Sequence, residues 1–80
     1  MGVQVSLYGS LRNYVTQDLL VDNKVVIPYR HGLTVSKICQ DLQLDQKYVA
    51  FVLVNKNRSK LDAPLMEGDQ VDIFPRTIGG

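Results

Sequence analysis

The chain is short of the residues that build the commonest chemical sites. Of its 80 residues one is a cysteine, Cys39, and one a histidine, His31. A single thiol excludes an internal disulfide and a cysteine-based metal site. A domain this small without covalent staples fits a reducing, cytoplasmic setting. His31 stands beside Gly32 with no serine, cysteine or acidic motif around it, so it reads as a loop residue and not as half of a nucleophile–base pair. Net charge is also scarce: nine Lys and Arg against eight Asp and Glu leave +1. That argues against a nucleic-acid groove built on bulk charge. Long apolar runs are missing as well. Val49 to Val54 is among the longest and is far too short to cross a bilayer. The N-terminus has neither the basic start nor the apolar core of a signal peptide. Neither a membrane nor a nucleic acid is expected as a partner.

What is present belongs to one small globular domain. Apolar residues make up 45% and charged residues 21%, which excludes disorder as a description of the whole chain. A chain of this length buries only about 60–65% of its unfolded surface, so its stability margin is small. Residues 3–8 alternate, with Val3, Val5 and Leu7 facing a core, as in a half-buried strand. Gly9 and Ser10 break that pattern, and Leu11 to Val15 can make one short helical turn capped by Ser10. Residues 16–23 read as a loop. Lys24 to Tyr29 reads as a second strand, placed at an edge because Pro28 cannot donate to a ladder. The two form a hairpin.

The clearest helix starts at Thr34, a good N-cap, with Leu33 and Ile38 at the positions of a hydrophobic staple. Lys37 occupies the place of the Glu that a full capping box wants. Val35, Ile38, Cys39 and Leu42 fall on one face, and the helix ends near Leu42 to Leu44. Tyr48 to Asn55 reads as a strand apolar on both faces. Residues 56–59 read as a turn, residues 60–65 as a short irregular piece, and Glu67-Gly68-Asp69 as a tight turn. Val71 and Ile73 alternate with Asp72 in a last strand ending at Phe74. The order ββ, helix, β, short piece, β predicts an α+β domain: a mixed sheet in β-grasp topology, with the first and last strands at its centre and one main helix on one face. The other face then carries an exposed apolar patch, the usual mark of a partner surface.

The chain ends Pro75-Arg76-Thr77-Ile78-Gly79-Gly80. Residues 1–75 form the expected domain and residues 76–80 a flexible tail. Fully extended, the last six residues span roughly 20 Å. Glycines at 79 and 80 have no Cβ and can pass a narrow slot. A frayed terminus is the plainer reading of such an end.

The stretch Leu65-Met66-Glu67-Gly68-Asp69-Gln70-Val71-Asp72-Ile73-Phe74-Pro75, followed by Gly79-Gly80, resembles the sulfur-carrier proteins of the MoaD/ThiS family, which are ubiquitin-like β-grasp proteins. Val5-Ser6-Leu7-Tyr8-Gly9-Ser10-Leu11-Arg12 is similar to the first strand and short helix of the molybdopterin synthase small subunit, and Val54-Asn55 to the end of the family's third strand. Ser10-Leu11-Arg12 and Ile73-Phe74-Pro75 lean toward the molybdopterin branch, although Arg76 stands where that branch often has a second proline.

The resemblance implies a carrier with no catalytic residues, metal site or bound cofactor of its own. Gly80 would be the covalent site. An E1-like adenylating enzyme, using ATP and Mg²⁺, would convert its carboxylate to an acyl-adenylate and then a thiocarboxylate. Gly79, Ile78, Thr77 and Arg76 would line the partner's channel, and Phe74 and Pro75 would dock at the tail base. A sulfur-accepting partner, such as a molybdopterin synthase large subunit, would take the sulfur for molybdenum or tungsten cofactor biosynthesis. Three alternatives stand beside this: a ThiS-like carrier for thiamine or another pathway, a ubiquitin-like modifier joined to lysines, and a β-grasp interaction domain with an inert tail. Cys39 on the helix face reads as a buried small hydrophobe. Glu67 and Asp69 read as turn residues and not as a metal or acid pair.

Overall fold

The computed structural model describes residues 2–14 and 24–76. Five strands form one sheet: β1 (Gly2–Leu7), β2 (Lys24–Pro28), β3 (Val49–Val54), β4 (Asn57–Ser59) and β5 (Gln70–Pro75). Their spatial order is β2-β1-β5-β3-β4. β1 and β5 pair in parallel at the centre, and every other pairing is antiparallel. A 3-10 helix, Gly9–Tyr14, follows β1, and a second, Gln46–Tyr48, leads into β3. β2 is an edge strand ending at Pro28, where a residue without an N–H does no harm.

The single α-helix among the described residues, α1, runs Val35–Asp41. Its start follows from Thr34, whose Oγ1 accepts from the Lys37 N–H at 3.1 Å. It ends where Gln43 takes a left-handed φ of 58°. The Leu44 N–H donates to the Cys39 carbonyl and the Gln43 N–H to the Gln40 carbonyl, so the last carbonyls are satisfied in the Schellman pattern without a glycine. Seven residues are too few to be helical alone. α1 forms because Val35, Ile38 and Cys39 are buried against the sheet.

The core on that side is aliphatic: Val3, Val5 and Leu7 of β1, Val25 and Ile27 of β2, Val49 and Val52 of β3, Val71 and Ile73 of β5, closed by Leu11, Leu33, Leu42, Leu44 and Leu65. Residues 60–65 are irregular but tied down. The Ser36 N–H donates to the Leu61 carbonyl, and the Leu65 N–H donates to the Leu33 carbonyl at 2.8 Å.

One sequence expectation is corrected. Residues 56–59 are not the turn. The turn is the pair Asn55-Lys56, with φ of 52° and 73°, and Asn57–Ser59 is strand β4 pairing with β3 from Val54↔Asn57 onward. Two consecutive left-handed residues give a two-residue hairpin loop, whose twist matches that of the flanking strands. Asn is one of the few non-glycine residues that enters this region readily, whereas Lys56 is held there by the hairpin.

Candidate functional site

Alternation along the strands decides what the uncovered face of the sheet shows. With Val3, Val5, Leu7, Val71 and Ile73 pointing to the core, Gln4, Ser6, Gln70, Asp72 and Phe74 point the other way. The register lines up Lys24, Ser6, Asp72, Leu53 and Arg58 as one row across all five strands. One step toward the tail end of β5, Phe74 lies opposite Phe51.

At that end the side chains stack. The Tyr8 and Phe74 rings lie 4.4 Å apart and 8° from parallel, and Phe74 and Phe51 lie 4.7 Å apart at 12°. The Arg58 guanidinium carbon sits 4.6 Å from the centre of the Phe51 ring. The result is a continuous pile, Tyr8–Phe74–Phe51–Arg58. Each aromatic contact of this kind contributes about 0.5–1.5 kcal/mol beyond the area buried. Phe74 and Phe51 remain partly exposed, and Tyr8 is exposed. The apolar patch expected of the uncovered face is therefore present, and it is aromatic.

Asp72 lies under this pile. It is the one buried charged residue among those described, at 6% exposure. The Tyr8 hydroxyl donates to its Oδ1 at 3.3 Å, and the Lys56 ammonium lies 3.7 Å from its Oδ2. A buried carboxylate needs such partners. Here Lys56 and the end of the aromatic stack supply them, so the charge is covered on its outer side.

Two sequence motifs meet at the opposite end of β5. The Asn55 amide donates from Nδ2 to Asp69 Oδ1 at 2.9 Å, while Asn55 Oδ1 accepts from the Gln70 N–H at 3.0 Å. Asp69 Oδ2 also accepts from the Met66 N–H. Gly68 has the positive φ, 89°, that the turn requires. The Val54-Asn55 and Gly68-Asp69 motifs thus form one clip that fixes where β5 begins. Asp69 is a turn residue, and no group of three or more potential metal ligands occurs among the described residues.

The other end of β5 is fixed as well. β5 ends at Pro75, whose ring packs on Gly9: a Cβ on Gly9 would stand 2.8 Å from Pro75 Cγ, and Gly9 has φ of +60°. Arg76 is then held to the body. Its N–H donates to the Tyr48 carbonyl at 3.0 Å and its Nε to the Lys47 carbonyl at 2.7 Å. Of the expected site residues, Phe74, Pro75 and Arg76 are brought together here, and Phe74 sits at the middle of the stack. Thr77, Ile78, Gly79 and Gly80 lie outside the described residues. Cys39 is buried in the core, and burial pushes its thiol from 9.0 to about 11. His31 is exposed in the turn before α1.

Sequence reasoning had not singled out Tyr8, Phe51, Lys56, Arg58 and Asp72 as parts of this face. Strand parity could have found Asp72, which sits between core-facing Val71 and Ile73, but not Phe51, because Ala50 beside it is exposed and the register shifts between Val49 and Phe51. Tyr8 lies one residue past β1, and Lys56 and Arg58 lie in the segment read as a turn, so no local pattern marked them.

No family model matches the sequence, and no curated protein matches it either. Solved structures do. SAMP1 from Haloferax volcanii is 17% identical, with a TM-score of 0.71 over 98% of each chain. A Pyrococcus furiosus protein assigned as molybdopterin converting factor subunit 1 is 20% identical, with a TM-score of 0.66 over 94% of this chain and 97% of that one. A chain in the complex of subunits 1 and 2 of molybdopterin-converting factor from Helicobacter pylori is 20% identical, with a TM-score of 0.61 over the whole of both chains. At these identities the agreement is one of fold, and it points the same way as the motif resemblance read from the sequence. The chain has the ubiquitin-like β-grasp fold.

Proposed function

We propose that this chain is a sulfur carrier that acts through its terminal carboxylate, with no catalytic residues of its own. The observation that carries this reading is the tail base. β5 is clipped at its start by Asn55 and Asp69, packed at its end by Gly9 against Pro75, and Arg76 is bonded to the backbone of Lys47 and Tyr48. The described chain therefore ends, at Arg76, at a fixed point beside an exposed aromatic face. That arrangement suits a domain that docks with its face and offers its end to a partner's active site.

In this reading the Gly80 carboxylate, ionised near neutral pH, is a poor electrophile. An E1-like adenylating enzyme joins it to the α-phosphate of ATP, with Mg²⁺ on the phosphates, and releases pyrophosphate. A sulfur donor at the oxidation level of sulfide then attacks the carbonyl carbon, and AMP leaves. Gly80 becomes a thiocarboxylate. Arg76, Thr77, Ile78 and Gly79 line the channel, and Phe74 and Pro75 dock. The sulfur passes to a second partner. The fold shared with molybdopterin converting factor subunit 1, and with a chain of a subunit 1–subunit 2 complex, favours a large-subunit acceptor in molybdopterin biosynthesis.

The test is ATP–pyrophosphate exchange by the adenylating enzyme of the same organism. The unmodified chain supports exchange, whereas a chain extended beyond Gly80 by a short tag keeps its fold, by circular dichroism, and supports none. Equal exchange by the tagged chain would contradict the proposal. Recovery of Gly-Gly remnants on lysines of other proteins would instead favour the modifier reading.

A further inference from the structure

The uncovered face carries a charge pattern that the fold does not require. Its outward strand positions include Lys24, Arg58 and Asp72 as the charged residues. Asp72 is buried, with Lys56 reaching over it from the hairpin turn. The exposed charges that the described strands and this turn set on the face, Lys24, Lys56 and Arg58, are thus all positive. Elsewhere acids and bases are mixed: Asp41 pairs with Arg30 at 2.9 Å, and Asp45 lies 3.8 Å from Lys47. With Lys56 paired to Asp72, the charges left without an acidic partner on this face among the described residues, Lys24 and Arg58, are both cations.

The stack decides what class of partner fits. Both faces of the Phe74 ring are occupied, by Tyr8 on one side and Phe51 on the other, and Arg58 covers Phe51 from beyond. Bases stack on free ring faces. The inner faces are used up inside the pile and Arg58 caps its other end, so a single-stranded nucleic acid has only the outer face of Tyr8 to stack on. Ring edges and Leu53 are what the patch offers, and these suit aliphatic and aromatic side chains of a protein. Arg58 has no ion pair among the described residues, and its guanidinium is held at the ring. A guanidinium ordered in this way loses less freedom when a carboxylate takes its N–H donors in a bidentate pair.

Resting on the carrier reading above, we infer that the adenylating partner meets this face with an acidic surface: an apolar centre against Tyr8, Phe74, Phe51 and Leu53, ringed by aspartate or glutamate carboxylates. Arg58 is the specificity-determining contact, and Lys56 and Lys24 add charge attraction at the rim.

The experiment measures pyrophosphate exchange by the adenylating enzyme of the same organism as a function of carrier concentration. R58E raises KM for the carrier by about tenfold or more while kcat changes less than about twofold, and R58K falls between it and the wild type. Raising salt from about 0.05 to about 0.5 M raises the wild-type KM, with a shallower dependence in R58E. K37E makes the same change in net charge on the helix side, away from the face, and leaves KM within about twofold of the wild type. An R58E KM indistinguishable from wild type, with the wild-type chain turning over, overturns the inference and leaves the carrier reading standing. Equal KM losses in R58E and K37E also overturn it, because net charge and not the face would then be read. No exchange with the wild-type chain sinks the carrier reading, and the inference with it.

Discussion

The two faces of one sheet differ in kind. The covered face is aliphatic, closed by α1, and built from Val3, Val5, Leu7, Val52, Val71 and Ile73, each nearly or wholly buried. The uncovered face is aromatic and charged, with Tyr8, Phe74 and Phe51 stacked under Arg58 and a carboxylate sealed beneath. Neighbours on one strand, Ile73 and Phe74, belong to opposite sides of this division. The aliphatic side holds the domain together. The aromatic side is a stack of partly exposed rings, and it adjoins the end of β5.

The division can be broken at Ile73 and Phe74. Ile73→Ala leaves a cavity in the centre of the core and costs about 3–4 kcal/mol in urea unfolding, a large share of what an 80-residue domain possesses. Its exchange activity, measured at a temperature where it is folded, stays near that of the wild type. Phe74→Ala removes the middle ring of the stack and costs less stability, about 2 kcal/mol, since the ring is partly exposed. It lowers kcat/KM in pyrophosphate exchange by about tenfold or more, as truncation of an aromatic anchor does. A Phe74→Ala chain with full activity would dissolve the distinction between the two faces.

Alkaline pH sharpens it from the covered side. The Cys39 thiol is raised from 9.0 to about 11 by burial, so the folded chain keeps a proton that the unfolded chain gives up. The contribution of Cys39 to stability is complete below about pH 9 and falls as pH rises from there toward about 11. Cys39→Ala removes that part of the alkaline slope in urea midpoints measured across this range. In the native chain at pH 8 the thiol resists alkylation, and rapid modification without unfolding would show that the covered face is not closed.

The smallest effect concerns how α1 stops. Gln43 closes the helix at φ of 58°, a conformation that favours glycine. Gln43→Gly stabilises the domain by up to about 1 kcal/mol in urea unfolding, with no change in exchange activity, because Gln43 lies on the helix side of the sheet.

Much of this fold was legible because the covered face follows simple periodicity. The Val3/Val5/Leu7 alternation, the Thr34 cap with its Val35, Ile38, Cys39 stripe, and the Gly68-Asp69 turn are local patterns, and the structure forms each of them. β4 was not legible. Its three residues, Asn57–Ser59, are polar, and it forms only because Asn55 and Lys56 both enter the left-handed region and return the chain against β3. Phe74 and Pro75 were expected as a docking pair through resemblance and not through periodicity. Tyr8, Phe51 and Arg58 come from three separate segments, and their stack exists only once β1, β5, β3 and β4 lie side by side. A burial pattern records what a strand hides. It carries less about what four strands jointly display.

The central claim is that the body of this domain presents one atom group, the carboxylate of Gly80, for activation. The most direct measurement is the intact mass of the untagged protein purified from its own cells under conditions that preserve thioacids, followed by fragmentation of the C-terminal peptide. The account predicts a fraction of chains in which one oxygen at Gly80 has been replaced by sulfur, and loss of the protein's cellular role when Gly79 and Gly80 are deleted. A plain carboxylate in every chain, together with full function after that deletion, would contradict it.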